Sequence, residues 1–226
     1  MHETDVLLPV RRLMAAAAGD EKHDPSAHST LDVLWVLYDR IMRTDPTDPR
    51  NEDRDRLIVS KGHGPQALYA VLAAKGFFPA EELAGYMAWD SRLGGHPDRT
   101  QVPGVEASTG SLGHGFPMAV GVALALRAAR RDRRVFVLIG DGEANEGSVW
   151  ETVLLAGSLT LPNLTCIVVD NHSSTRPLGD IAAKFTAFDW VAVTVDGRDH
   201  DALDVALRAR DAARPNVVVA AIGASR

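Results

Sequence analysis

From residue 135 onward the chain alternates short, predominantly apolar runs with helical stretches. The apolar runs fall at 135–139, 164–169, 191–195 and 217–222, and helical patterns at 145–159 and 201–211 lie between them. This alternation constrains the fold more than any other feature. A strand that is apolar without alternation has both faces buried, and a parallel pairing needs a crossover long enough to hold a helix. The expected architecture is therefore α/β: a doubly wound, mainly parallel sheet with helices on both faces. Upstream, Leu31, Leu34, Trp35, Tyr38 and Ile41 recur at helical spacing and predict a helix over 29–42. Before it, 19–29 reads as polar and broken, with Pro25 preventing a continuous helix. A strand at 57–59, an Ala/Leu-rich helix at 65–75, a short helix at 81–87 and a small-residue helix at 116–130 complete the series. The segment 43–56, rich in Asp, Pro and Arg, reads as an exposed connection. Residues 94–115 form a long glycine-punctuated loop, and loops of that length inside compact domains are usually functional. Nothing divides the chain, so 1–226 is expected to be one domain.

Composition narrows the partners. At 46% hydrophobic and 24% charged residues, the chain has the make-up of an ordinary globular protein. A net charge of -6 argues against nucleic acid or a membrane surface, both of which attract basic patches. The single cysteine, Cys166, excludes an internal disulfide and reads as a packed residue of an apolar run. The N-terminus has no signal-peptide pattern, and no apolar run is long enough to span a bilayer. The expected location is the cytoplasm.

The apolar run 135–139 leads directly into Gly140-Asp141-Gly142, and the next one ends at Asp170-Asn171. Ligands of doubly wound sheets bind beyond the carboxyl ends of the strands, so Asp141 and Asn171 are expected at one sheet edge, on neighbouring strands. Both offer hard oxygen ligands, which suit Mg²⁺, with Ca²⁺ or Mn²⁺ as substitutes. Gly140 and Gly142 let the backbone approach an anion, and a helix start after them presents free N–H groups. Mg²⁺ with so few protein ligands completes its shell from phosphate oxygens, so the pattern predicts a metal-bound diphosphate. Alone, Gly-Asp-Gly is equally explained by a tight turn after a strand.

The stretch Gly140-Asp141-Gly142-Glu143-Ala144-Asn145-Glu146-Gly147-Ser148-Val149-Trp150-Glu151, continued to Asn171, resembles the thiamine diphosphate motif of the transketolase family. Ser60-Lys61-Gly62-His63-Gly64 is similar to a second family segment. Gly95-His96-Pro97 and Pro103-Gly104-Val105-Glu106 through Gly110-Ser111-Leu112-Gly113-His114-Gly115 resemble a third. Ala187-Phe188-Asp189-Trp190 and Val195-Asp196-Gly197 match later landmarks, and the motifs run in collinear order over almost the whole chain.

The resemblance implies roles. Asp141 and Asn171 would bind Mg²⁺, with the carbonyl of Ser173 as a third ligand. Gly140, Gly142, Glu143, Asn171 and His63 would surround the diphosphate. Gly110, Ser111 and Leu112 would meet the aminopyrimidine ring, Gly110 and Leu112 through their backbones. His23, His63 and His96 would act in catalysis, with His96 and His23 lining the substrate channel. Glu146 would sit at an interface between paired domains, with a first-turn helix residue as the bland alternative. The cofactor would serve as an electron sink for carbon–carbon cleavage, moving a two-carbon ketol unit from a ketose phosphate to an aldehyde.

In this family the activating glutamate comes from a pyrimidine-binding domain, and the chain ends at Arg226 before any such domain. The expectation is a split enzyme, with that domain on a partner chain in an α2β2 assembly. Three departures bear on it: Lys22, Pro25 and Ser26 replace the glycines that usually surround His23, the loop after Asn171 is short, and the chain stops at Gly223-Ala224-Ser225-Arg226 where relatives continue. The readings left open are another thiamine enzyme acting on a 2-oxo acid or a specialised biosynthetic substrate, a deoxyxylulose phosphate synthase, and a non-catalytic assembly subunit. A nicotinamide-binding domain is excluded, because Gly110–Gly115 has no strand immediately before it.

Overall fold

The structure is a computed structural model describing residues 6–19 and 23–223. Helix α1 (Leu8–Ala16) and helix α2 (Asp24–Val36) precede the first strand, and α2 widens into a π turn over Leu37–Ile41. Strand β1 (Arg56–Val59) leads to α3 (Gln66–Ala74), a 3₁₀ turn (Ala80–Gly85), the long loop and α4 (Gly115–Ala128). Strand β2 (Val135–Gly140), α5 (Gly147–Ser158), β3 (Leu164–Asp170), α6 (Ile181–Thr186), β4 (Val191–Asp196), α7 (His200–Arg208) and β5 (Asn216–Ala221) follow.

All four pairings are parallel, in the order β1-β2-β3-β5-β4. Side chains alternate across a strand, and this separates two cores. Leu57, Val59, Phe136, Leu138, Ile167, Val169 and Val218 pack on one face with α1, α2, α3 and α7. Ile58, Val135, Val137, Ile139, Cys166, Val168 and Val217 pack on the other with α4, α5 and α6. The sheet is thus covered on both sides except at edge strand β4, where the expectation of full burial is corrected: its positions are half-buried or exposed because only one neighbour, β5, flanks it. Among the described residues no helix is long and apolar enough to cross a membrane.

Several local expectations are corrected. Helix α2 begins at Asp24, not near residue 29, because Pro25 occupies the first turn, where a missing N–H breaks no intrahelical bond. Helices α1 and α6 are additions to the expected elements; α6 is only six residues long, and Asp180 caps it by accepting from Ala183 N at 2.9 Å. The helix expected over 145–159 is divided. Glu146 is extended (φ -76°, ψ 132°) and separates a 3₁₀ turn, Glu143–Asn145, from α5. Glu146 is therefore the residue before the helix, outside its first turn. The segment 224–226 lies outside the described residues.

Candidate cofactor site

In the paired register of β2 and β3, Gly140 stands opposite Val169. The next residues, Asp141 and Asn171, emerge at the carboxyl edge of adjacent strands, as the sequence predicts. Asp141 is 2% exposed. Its Oδ1 accepts from Gly142 N (2.8 Å) and Ser173 Oγ (2.8 Å), and its Oδ2 from Ser174 N (2.9 Å). Asn145 staples this turn by donating to Gly142 O (3.1 Å) and Ser174 Oγ (2.9 Å). Asn171 donates to Ser29 Oγ at 3.2 Å, and its Oδ1 accepts from Ser173 N at 3.2 Å. Asp141, Asn171 and Ser173 therefore converge.

These residues open on a cleft of about 120 Å³, whose walls also include His63, Leu112, Gly140, Gly142 and Glu143. Glu143 is 2% exposed. Its Oε1 accepts from Ser60 Oγ (2.5 Å) and Gly113 N (2.8 Å), tying the glycine loop to the end of β1. Burial raises its carboxyl above the usual range against the pull of those bonds, and its buried Oε2 has no hydrogen-bond partner among the described residues.

His23, His63 and His96 form a row, with ring centroids 5.1 Å apart for the first pair and 4.9 Å for the second. Nδ1 of His63 lies 2.8 Å from the carbonyl of Lys61, so that nitrogen carries the proton and Nε2 keeps the lone pair. Burial lowers the His63 pKa, and the neighbouring His96 and His23 push it the same way. The ring is therefore neutral at neutral pH. His96 rests directly on the backbone of Gly110, where a Cβ would fall 2.7 Å from His96 Cδ2. A Cβ at Gly62 (φ +63°) would fall 2.6 Å from Gly110 N. The two glycines let the β1–α3 turn and the long loop touch, which brings His63 and His96 together. Buried Tyr69 holds this loop, its hydroxyl 2.9 Å from Gly94 O and 3.0 Å from His96 O. Gly110 and Ser111 lie beside the cleft, and exposed Glu146 stands apart from it on the surface.

Sequence reasoning did not single out Ser26, Ser29, Thr30 or Lys61. Lys61 Nζ reaches Ser26 O (2.9 Å), Ser26 Oγ (2.7 Å) and Thr30 Oγ1 (2.5 Å) on α2. The signal available was Lys61 itself, a cation inside an otherwise uncharged loop motif. A larger cavity of about 380 Å³ near the start of β1, lined by Arg50, Arg54 and Arg99, contains none of the expected residues.

The donor set fits a Mg²⁺ diphosphate. Among the described residues no three His, Cys, Asp or Glu side chains are grouped to cage a metal. One carboxylate and one amide oxygen, side by side, are a donor set that Mg²⁺ uses when phosphate oxygens and water supply most of its shell.

Residues 10–224 match the family described as transketolase, thiamine diphosphate binding domain. The chain is 49% identical over 213 residues to ferredoxin fas2 of Rhodococcoides fascians, covering 93% of this chain and 70% of that protein. It is 39% identical over 186 residues to the 6-deoxy-6-sulfo-D-fructose transketolase subunit SqwG of Clostridium sp. (strain MSTE9), covering 79% and 68%. Among solved structures, transketolase from Campylobacter jejuni superposes with a TM-score of 0.83 at 26% identity, over 98% of this chain and 38% of that one. The word ferredoxin does not carry over to this chain: iron–sulfur clusters are held chiefly by several cysteine thiolates. The one cysteine here is buried in β3, where burial pushes its thiol well up. Sheet order, motif positions and these similarities agree, and the chain belongs to the transketolase family, matching its thiamine diphosphate binding domain.

Proposed function

We propose that this chain is the diphosphate-binding subunit of a two-chain transketolase. Asp141, Asn171 and the carbonyl of Ser173 hold Mg²⁺, and Gly140, Gly142, Glu143 and His63 surround the diphosphate. Gly110, Ser111 and Leu112 receive the aminopyrimidine ring. The observation that carries this reading is the convergence of Asp141 and Asn171 at the ends of paired strands, over a cleft shared with His63. When bound, thiamine diphosphate supplies the electron sink for breaking and making a carbon–carbon bond. The chain's own part is to position and to handle protons. Neutral His63, with its lone pair on Nε2, accepts a proton, and His96 and His23 extend that row along the substrate channel. The substrate class is a ketose phosphate donor with an aldehyde acceptor.

A partner subunit with the pyrimidine-binding domain contributes the activating glutamate in an α2β2 complex of the cytoplasm, and Glu146 lies at the interface. The similarity to a named transketolase subunit supports a split enzyme. The test is co-expression with a candidate partner, titration of the purified complex with thiamine diphosphate with and without Mg²⁺, and a ketol-transfer assay. Metal-dependent binding with two-carbon transfer is the expected result. A complex that binds cofactor and ignores ketose phosphates would redirect the substrate search to 2-oxo acids. An intact complex that binds no cofactor would overturn the reading.

A further inference from the structure

Lys61 is 6% exposed, and among the described residues its ammonium reaches only uncharged oxygens of α2: the carbonyl and hydroxyl of Ser26 and the hydroxyl of Thr30. A buried ammonium without an ion pair is costly, and proteins rarely keep one without a use. The side chain also lines the cleft beside Asp141 and Asn171. Its partners do not depend on it. Thr30 Oγ1 donates to Ser26 O at 2.6 Å, and Ser29 Oγ donates to the same carbonyl at 3.0 Å. Removing the ammonium therefore orphans none of these groups.

We infer that Lys61 is an anion ligand: its ammonium swings from the Ser26–Thr30 oxygens to the phosphate end of the bound cofactor. This rests on the diphosphate reading of the cleft and adds a residue to it. The charged groups facing Lys61 are Asp141 and Glu143 from the turn after β2, with His63 two residues along its own loop. Burial lowers the Lys61 pKa to about 8, and Glu143 and Asp141 pull only partly the other way. Phosphate contact raises that value, so binding takes up a proton. Affinity is full below pH 8 and declines as pH rises through it. The pocket is also linked to the helix bearing Ser26 and Thr30, so release of their oxygens reaches the start of α2, next to His23.

The test titrates the full-length chain with magnesium pyrophosphate by calorimetry, at pH 7 and pH 9 in buffers of different ionisation enthalpy. Wild type, Lys61→Met and Lys61→Arg are compared, with thermal unfolding of each ligand-free protein. The wild type is expected to bind with proton uptake. Lys61→Met is expected to bind roughly tenfold or more weakly, without the uptake, while its ligand-free unfolding midpoint holds or rises. Lys61→Arg is expected to keep much of the affinity and lose the pH dependence. Equal binding and proton uptake in wild type and Lys61→Met would overturn the inference and leave the diphosphate reading standing. Loss of ligand-free stability in Lys61→Met with unchanged affinity would assign Lys61 a structural role instead. A wild-type chain, alone and with its partner, that binds neither pyrophosphate nor thiamine diphosphate would overturn both.

Discussion

Asp141 shows how one side chain can be prepared for a ligand before the ligand arrives. Its carboxylate accepts from two backbone N–H groups and one serine hydroxyl: Gly142 N of its own turn, and Ser173 Oγ and Ser174 N of the loop after β3. These bonds mean that Asp141→Ala leaves buried donors unpaired, at a cost of about 1–3 kcal/mol. A loss of cofactor binding in that variant would mix two effects. Asp141→Asn reduces the first effect, because its amide oxygen still accepts from Gly142 N and Ser173 Oγ while the charge is gone, and only Ser174 N loses its acceptor. Asp141→Asn is expected to keep the fold with a smaller loss of stability than Asp141→Ala, and to lose the magnesium-dependent part of thiamine diphosphate binding. Calorimetric titration with and without Mg²⁺, beside a thermal unfolding curve, reads both quantities. Unchanged metal-dependent affinity in a folded Asp141→Asn protein would remove Asp141 from the metal site.

At the scale of elements, the site depends on how closely α4 approaches β1. A Cβ at Gly115, the first residue of α4, would lie 2.6 Å from the Ser60 Cα and 2.6 Å from its Oγ. Ser60 is the residue that ties Glu143, and through it the Gly113 loop, to the end of the strand. Because the obstacle is backbone, Gly115→Ala is expected to destabilise by about 1–3 kcal/mol and to loosen the wall of the cleft. A Cβ at Gly121, on the same helix, would meet nothing within 4 Å, so Gly121→Ala is expected to stabilise by about 0.5–1 kcal/mol. Urea unfolding of the pair checks the contact, and equal effects would refute it. The central strands were legible in the sequence because burial on both faces leaves few polar positions to blur them; β2 and β3 lie within a residue of the expected bounds. Asp141 and Asn171 were legible because strand ends of a parallel sheet share an edge. The start of α2 was not, since Pro25 breaks a helix interior and begins a helix equally well. Nor was the contact of Lys61 with Ser26 and Thr30, which spans more than thirty residues and depends on how α2 settles on the sheet.

Across the whole molecule, the amino-terminal helices are fastened to the last crossover by one buried carboxylate. Asp32 on α2 is 3% exposed. Its Oδ1 lies 2.9 Å from His200 Nε2, its Oδ2 bonds Arg198, and Arg11 on α1 stands 3.7 Å away. Arg198 also donates to His28 O at 3.0 Å. One side chain thus gathers α1, α2 and the β4–α7 turn, on the same side of α2 that supplies Ser29 to Asn171. Burial works against ionisation of Asp32, but the bonds from His200 and Arg198, with the charges of Arg198 and Arg11, outweigh it and hold the carboxyl below its ordinary value of 3.8. A depressed pKa in the folded state contributes stability above the unfolded pKa and loses it as pH falls through the folded one. Removing one partner of a buried charge cluster costs about 3–5 kcal/mol; both arginines are more than a third exposed, which puts Asp32→Asn near the lower bound, about 3 kcal/mol. For a chain of this length that corresponds to roughly 6–12 °C in the unfolding midpoint near neutral pH. The gap between wild type and variant should then narrow as pH drops below about 4, because the wild-type carboxylate becomes protonated as well. Thermal unfolding of both proteins from pH 7 down to pH 3 measures that gap. A difference that stays constant over the range would show that Asp32 acts through shape alone, and that α2 keeps its place over the cleft by packing without the charge.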